Sequence, residues 1–524
     1  MDENSRLVSL FDALGPIMVG PSSSHTAGVL RIGRMGRVFL GGDPERIELH
    51  FYGNALARTY KGHLSDSGIV AGLLGYGEDS PDVRWILDEA KRRGIDISYI
   101  PDYTSDRNPN TVDMRLHRGG RTIQVVGITV GGGEILMTEL EGFPLVLRGS
   151  EDGVLFIAGE TFDEKTLEPL LGGKPLGVNR SRKKERTLYT CLLEKTISDE
   201  TLARLSAAKG VESVFKLEAV LDYKLKNPKP LFSTADEMVR MSREKKLSMP
   251  RIALEYESSR SGLTESEIRS RIARIWRVMN ESVQHGLSGE SEMVGGLIPR
   301  DSGKKLMRAV EEGRTAGGPV LGKAVARAIA AMETNACVGC VVAAPTAGSC
   351  GVIPGTLITA AENSGASEEE AVDALLVAAA MGTVIAMKAS LSGSIGGCQA
   401  EIGVASAMAA AALVQLLGGA PEQVVHGMAL ALKNILGLIC DPVAGPVEIP
   451  CIKRNGIGTA NAFAAADMAL AGIESAIPPD EVIDALVNTQ QLLPEELKGT
   501  MKGGLCSTPT AIRLKEEWAR KISV

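Results

Sequence analysis

Three cysteines in the second half of the chain stand in unusual company. Cys398 follows Gly396-Gly397 and precedes Gln399-Ala400-Glu401, Cys440 precedes Asp441-Pro442, and Cys451 lies between Pro450 and Ile452-Lys453-Arg454. A packing cysteine normally sits among aliphatic residues, so these neighbours point to thiolates with a chemical task. Zinc and ferredoxin sites usually announce themselves by tight C-x-x-C pairs. These three are far apart, and three segments must converge before they can act together. A centre with three protein ligands keeps one coordination position open, where a substrate oxygen can be held by a Lewis acid. Buried free thiols are the bland alternative, and on spacing alone they are the simpler reading.

Two further stretches could handle a small anion. Ser22-Ser23-Ser24-His25-Thr26 sets four hydroxyls and an imidazole between Gly20-Pro21 and Gly28, ahead of an apolar-periodic run from Val29 to Leu40. That pattern reads as a loop feeding a helix N-terminus, where unpaired N–H groups attract carboxylates. Pro345-Thr346-Ala347-Gly348-Ser349 offers two hydroxyls and free backbone N–H groups around a glycine, enough to clamp a carboxylate. A serine-capped loop and an ordinary turn are the corresponding plain readings.

These stretches also carry a resemblance. GGCQAEIG at Gly396–Gly403, GLICDPVAGPVEIPCIKRN at Gly437–Asn455 and NACVGCVVAAPTAGSCGVIPG at Asn335–Gly355 are similar to the α portion of the iron-sulfur-dependent L-serine dehydratases. Gly20–Gly28 resembles the β portion of the same family, and Lys61-Gly62-His63 resembles its KGHGTD segment, with Leu64 and Ser65 in place of Gly and Thr. The resemblance implies a [4Fe-4S] cluster held by Cys398, Cys440 and Cys451, with the substrate on the iron that lacks a thiolate. It also implies that the Ser22–Thr26 segment faces that cluster from the β portion. His63 becomes the first candidate for taking the Cα proton of serine, since an imidazole with a pKa near 6.5 suits proton transfer at neutral pH. His25 is the second, or fixes the carboxylate. Ser22, Ser23, Ser24, Thr26, Thr346, Ala347, Gly348, Ser349 and Lys388 are the candidate substrate contacts, and Lys453 and Arg454 could pair with thiolates or carboxylate. The products would be pyruvate and ammonia. Rival activities are L-threonine dehydration, iron-sulfur L-cysteine desulfidation and a non-enzymatic iron-sulfur sensor, which would use a fourth thiolate. A pyridoxal-phosphate enzyme would need a Schiff-base lysine and a glycine-rich phosphate cup, and no such pair stands out.

The elements that must position these residues follow from composition and pattern. A chain of 524 residues should split into about three domains. Net charge of −7 gives no basic face for nucleic acid or anionic lipid. The start has acids where an export signal needs a basic region, and cysteines without a secretory context fit a reducing cytoplasm. Two apolar runs, Ala374–Met387 and Ile402–Pro421, read as buried helices, one too short to span a bilayer and one diluted by Ser406, Gln415 and two glycines. No membrane role is expected.

Residues 1–148 read as an α/β domain, with Gly131-Gly132-Gly133 as a hairpin turn; by the resemblance it is similar to an anion-sensing domain of some phosphoglycerate dehydrogenases. Residues 149–222 alternate β-α-β-β-α-β, which fits a ferredoxin-like, ACT-type module. Such a module could hold an amino-acid effector or merely dimerise, and a homodimer is expected. Residues 223–232 form a linker, with Lys224, Lys226 and Lys229 around Pro228 and Pro230. Residues 233–524 read as all-α, in nine helices rich in small residues that can wrap a central cofactor. Thr264 and Glu267 form a capping box. Cys337, Cys340 and Cys350 are expected to pack in the core beside the Thr346 loop. Cys506 resembles a C-terminal cysteine used in part of the family, but the chain continues beyond it. His50, His117, His285 and His426 are given no role.

Overall fold

The computed structural model describes residues 8–53, 56–221, 223, 227, 229–289 and 291–522. Three of the residues that mark the expected linker, Lys224, Lys226 and Pro228, lie outside the described residues. The first sheet contains β2 (Arg46–Tyr52), β3 (Asp96–Asp102), β4 (Thr111–Arg118), β5 (Arg121–Gly131), β6 (Glu134–Leu140) and β7 (Phe143–Leu147), introduced after a short β1 (Ile17–Val19) that lies elsewhere. Its order is β3-β2-β4-β5-β6-β7, with β2 and β3 parallel and the other neighbours antiparallel. Period-two alternation sends Ile47, Leu49 and Phe51 of β2 inward, where they meet Ile32 and Phe39 of the helix Val29–Leu40 and Ile69 of the helix Ser65–Leu73. The two helices cross so closely that a Cβ on Gly72 would lie 1.9 Å from the carbonyl oxygen of Leu30. Gly131, Gly132 and Gly133 all have positive φ and connect β5 to β6, the hairpin expected of a triple glycine.

The second sheet runs β11-β8-β10-β9, made of β8 (Asp152–Gly159), β9 (Gly177–Lys183), β10 (Arg186–Leu193) and β11 (Val211–Leu217), all antiparallel. Helices Leu167–Leu171 and Asp199–Ser206 follow β8 and β10. Both faces of β8 are buried, and its side chains divide by parity. Val154 and Phe156 pack with Tyr189, Leu167 and Leu205, whereas Leu155 and Ile157 join the core of the first sheet. The middle unit is therefore docked onto the N-terminal one through an apolar sheet face.

Beyond residue 233 the described chain is helical apart from one short strand. Glu368–Lys388 and Val404–Leu416 sit at the centre, among Met249–Ser261, Glu265–Ser288, Pro421–Lys433 and Pro479–Leu492. Two helices, Glu368–Lys388 and Gln399–Leu416, are long and apolar enough to cross a membrane, and 83% of the apolar stretch of each is buried inside the fold. Thr264 and Ser367 cap their helices reciprocally with Glu267 and Glu370.

The structure corrects the sequence reading in four places. Helices Met249–Ser261, Val352–Ser364 and Pro509–Ile522 were not expected. The first buries Glu257 and Arg260 among apolar residues, which blurs its periodicity, and the second carries Pro354 and Gly355 in its opening turns. The last cluster-region helix begins at Cys451, two turns before the expected Thr459. Cys340 is exposed on β12 (Cys340–Val342), while Cys337 and Cys350 are buried as expected. Finally, residues 8–19 belong structurally with the helical half. Val8, Leu10, Ala13 and Leu14 join the core around Glu368–Lys388, Glu257 accepts hydrogen bonds from Ser9 Oγ and Leu10 N, and β1 pairs antiparallel with β12. The apolar residues of a short amphipathic turn find more surface to cover there than on the first sheet.

Candidate active site

One small cavity, of about 90 Å³, lies where the N-terminal α/β unit meets the helical half. Ser22, Ser23, Ser24, His25 and His63 line it from one side, Gly348, Cys398, Cys440 and Cys451 from the other. Three helix beginnings point at it. The Ser23–Gly28 turn runs into Val29–Leu40, the Gln399–Gly403 turn into Val404–Leu416, and Cys451 is the first residue of Cys451–Leu470. Each brings the positive end of a helix dipole, which favours a small anion in the cavity.

The three thiols line one cavity, Cys398 buried and Cys440 and Cys451 partly so. Sγ of Cys398, Sγ of Cys440 and a carboxylate oxygen of Glu401 all lie within 4.8 Å of one another. A hydrogen bond with Cys398, followed by burial, holds the Cys440 thiol well above its ordinary range, and burial does the same for Cys451. Packed side by side, such thiols ionise when a cation joins them, which is the donor chemistry of a metal or iron-sulfur site. No other cysteine lines the cavity among the described residues, so three thiols fit a centre that leaves one position for something else. Arg454 Nη1 donates to Cys398 Sγ at 3.5 Å and pairs with Asp441 at 2.8 Å, tying two of the ligand segments together.

Facing the thiols is a histidine pair. Nδ1 of His25 and Nδ1 of His63 are 2.8 Å apart, and His25 Nε2 lies 3.1 Å from Asn110 Oδ1. With Asn110 accepting from Nε2–H, a neutral His25 accepts at Nδ1 and His63 donates. His63 Nε2 is then the lone-pair nitrogen, and it is buried with no hydrogen bond of its own. Burial first and His25 second push the His63 pKa down to about 3, against an opposing pull from the Gly445 backbone, and burial also lowers His25. Both imidazoles are neutral at neutral pH. The expectation of an unperturbed His63 gives way for a physical reason: burial, and then the neighbouring His25, disfavour its charged form.

The remaining expected contacts divide into lining and support. Thr26 Oγ1 donates to the His63 carbonyl at 2.6 Å and accepts from Ser22 N, which locks the two β-side segments together. Ala347 N donates to Ser23 Oγ at 3.3 Å across the interface. Thr346 Oγ1 donates to Glu401 at 2.8 Å, and Ser349 Oγ to the carbonyl of Ala344 at 3.0 Å, so these hydroxyls face the protein rather than the cavity. Lys388 is not brought to the site. It pairs with Asp484 at 2.7 Å on a largely exposed face, where a flexible ammonium stays hydrated. Lys453 is drawn toward Glu333 and Glu448.

Several site residues escaped the sequence reading. Glu401, whose pKa burial raises, touches both Thr346 and the thiols. Its signal was present, a charged residue inside the Gly396–Gly403 motif. Asn455, fully buried, accepts from Gly351 N and donates to the carbonyls of Gly348 and Cys451, each at 2.9 Å. An asparagine one turn after Cys451 marks it in retrospect. Thr59, Ser392-Gly393-Ser394 and Gly499 also line the cavity, and none carried a pattern that sequence could separate from ordinary loops.

The chain is similar to known proteins over nearly its whole length. Residues 244–506 match the family model described as serine dehydratase alpha chain, and residues 9–97 the one described as serine dehydratase beta chain. The chain is 33% identical over 513 residues to an L-serine dehydratase of Streptomyces coelicolor, covering 95% of this chain and 98% of that protein. It is 31% identical over 513 residues to L-serine dehydratase 2 of Escherichia coli, with the same coverage. A probable L-serine dehydratase alpha chain of Bacillus subtilis is 44% identical over 287 residues, 55% of this chain and 95% of that protein. The fold and the thiol-histidine cavity define a lyase assembled from an α/β half and a helical half. The chain belongs to the serine dehydratase family, with its beta-type and alpha-type regions in one polypeptide.

Proposed function

We propose that the protein is an L-serine dehydratase that converts L-serine to pyruvate and ammonia. The observation that carries this is the placement of the buried His63 imidazole across one small cavity from the three thiols of Cys398, Cys440 and Cys451. Cys398, Cys440 and Cys451 would hold a [4Fe-4S] cluster, which when bound supplies a Lewis acid for the C3 hydroxyl. The protein's own groups do the rest. The Ser22–Ser24 hydroxyls and the helix beginnings receive the substrate carboxylate, and His63 Nε2 takes the Cα proton. His25 holds the His63 ring through the Nδ1 contact and keeps the accepting nitrogen turned to the cavity. A base with so low a pKa gains a proton only beside a charge that favours it, and the bound carboxylate provides one. The Cα proton and the C3 hydroxyl together make the one water that is lost, and the aminoacrylate released tautomerises to an imine that water hydrolyses to pyruvate and ammonia in solution.

The β-α-β-β-α-β unit of residues 149–222 we read as a ferredoxin-like, ACT-type module, supported by its strand order, and as a place for an amino-acid effector or for pairing of two copies. A homodimer in the cytoplasm, acting on a small amino acid without nucleic acid or membrane, completes the proposal. The test is anaerobic purification followed by an absorption spectrum and a pyruvate assay. Brown, oxygen-sensitive protein forming pyruvate from L-serine faster than 2-oxobutanoate from L-threonine or pyruvate from L-cysteine supports the reading. A colourless chain with no such activity refutes it.

A further inference from the structure

Among the described residues that line the catalytic cavity, Glu401 is the one carboxylate, and none is a lysine or an arginine. Thr346 Oγ1 donates to its Oε1 at 2.8 Å. Two glycines of the same wall flank it: a Cβ on Gly393 would lie 2.2 Å from Oε2, and one on Gly348 3.1 Å from Oε1. A side chain at either place would crowd the carboxylate, and glycine leaves room beside it. An oxygen of Glu401 also lies within 4.8 Å of Sγ of both Cys398 and Cys440. Neither carboxylate capture by the Ser22–Ser24 hydroxyls nor proton transfer to His63 uses this group.

We propose that Glu401 receives the α-ammonium of the substrate, and so selects 2-amino acids over acids that lack the amine. L-Serine enters as a zwitterion. Its ammonium sheds water in a cavity of about 90 Å³, and a buried ammonium needs a paired opposite charge. Glu401 supplies that charge, and an ammonium beside the carboxylate favours its ionised form. The two ends of the substrate then reach the two halves of the chain. Its carboxylate meets Ser22–Ser24 of the α/β unit, and its ammonium meets Glu401 on the turn that opens the Val404–Leu416 helix. The C3 hydroxyl sits on the carbon next to the one that bears the amine, so a ligand pinned at Glu401 keeps that hydroxyl near Cys398 and Cys440. The identity of the substrate, though not the place of the carboxylate in the cavity, rests on the functional reading above.

The test uses the full chain, purified anaerobically, in titration calorimetry with L-alanine, which has no C3 hydroxyl to lose, and with L-lactate and propanoate, which have no amine. The parent protein is expected to bind L-alanine at least tenfold more tightly than either acid. Glu401→Gln weakens L-alanine at least tenfold and leaves propanoate within twofold, with iron, sulfide and visible spectrum unchanged. Glu401→Asp, which keeps the charge on a shorter arm, binds L-alanine more tightly than Glu401→Gln. The KM for L-serine rises in Glu401→Gln by a larger factor than kcat falls. If Glu401→Gln does not fold, Thr346→Val reads the same contact by removing the hydroxyl that holds Oε1, and weakens L-alanine at least threefold with propanoate unmoved. Equal binding of the three ligands by the parent, equal weakening of L-alanine and propanoate in the variant read, or unweakened L-alanine there overturns the proposal. Loss of iron from a folded Glu401→Gln makes the residue a cluster ligand and overturns it too. A parent that forms no pyruvate from L-serine yet shows the expected binding pattern refutes the dehydratase reading and keeps the ammonium contact.

Discussion

Asn455 stands one helical turn after Cys451 and donates its side-chain amide back to that residue's carbonyl at 2.9 Å, while the same amide reaches Gly348 and its oxygen receives Gly351 N–H. One side chain thus fixes the first turn of the Cys451 helix against the loop that closes the other wall of the cavity. Asn455→Ala leaves buried backbone groups without partners, at about 1–3 kcal/mol each. The expected outcome is a loss of about 2–4 kcal/mol in urea unfolding, with the KM for L-serine rising more than kcat falls.

Removing a ligand separates the roles of the cysteines. Cys398→Ala, Cys440→Ala and Cys451→Ala should each lose bound iron and visible absorption together with pyruvate formation, whereas Cys340→Ala, on an exposed strand, should keep all three. Iron and sulfide analysis alongside the spectrum checks this.

Lys388 supplies a control. Its pair with Asp484 is largely exposed, where ion pairs contribute about 0–1 kcal/mol. Lys388→Met should leave kcat and KM for L-serine within about twofold and the unfolding midpoint nearly unmoved; a large rise in KM would restore it to the site.

Three buried groups should give the stability a pH dependence, two in one sense and one in the other. Glu257 is pushed up to about 7 by burial, so between about pH 4.5 and 7 the native state holds a proton that the unfolded chain releases. Stability from this group falls as pH rises through that window, at most about 1.4 kcal/mol per pH unit. Asp66, raised to about 6 by burial, acts in the same sense. His63, lowered to about 3, does the reverse: between about pH 3 and 6.5 the unfolded chain takes up the proton, and stability rises with pH. Urea midpoints at half-unit intervals should show Glu257→Gln steepening the rise and His63→Gln flattening it.

Much of the catalytic chemistry was legible because it is written in short polar motifs inside apolar sequence. Cys398, Cys440, Cys451, His25, His63 and the serine triplet all line one cavity. What sequence could not show was direction. Thr346 and Ser349 point their hydroxyls at Glu401 and Ala344, and Lys388 lies on an outer face, facts set by packing across elements far apart in the chain. The helix Met249–Ser261 was hidden because it buries Glu257 and Arg260, which break the apolar rhythm that a sequence reader counts. Sequence proximity places residues 8–19 in the N-terminal α/β domain, whereas their partners, Val341 and Tyr256 among them, come from hundreds of positions later.

That early stretch closes the polypeptide into something close to a loop in space. Ser9 and Leu10 are hooked by Glu257, and Ile17–Val19 is stitched to Cys340–Val342, before the chain leaves to build both sheets and returns. A single proteolytic nick between the second sheet and the helices need not release two pieces. The amino-terminal fragment would stay clasped by its own first dozen described residues, and such a nicked protein should comigrate as one body until denaturant opens the clasp.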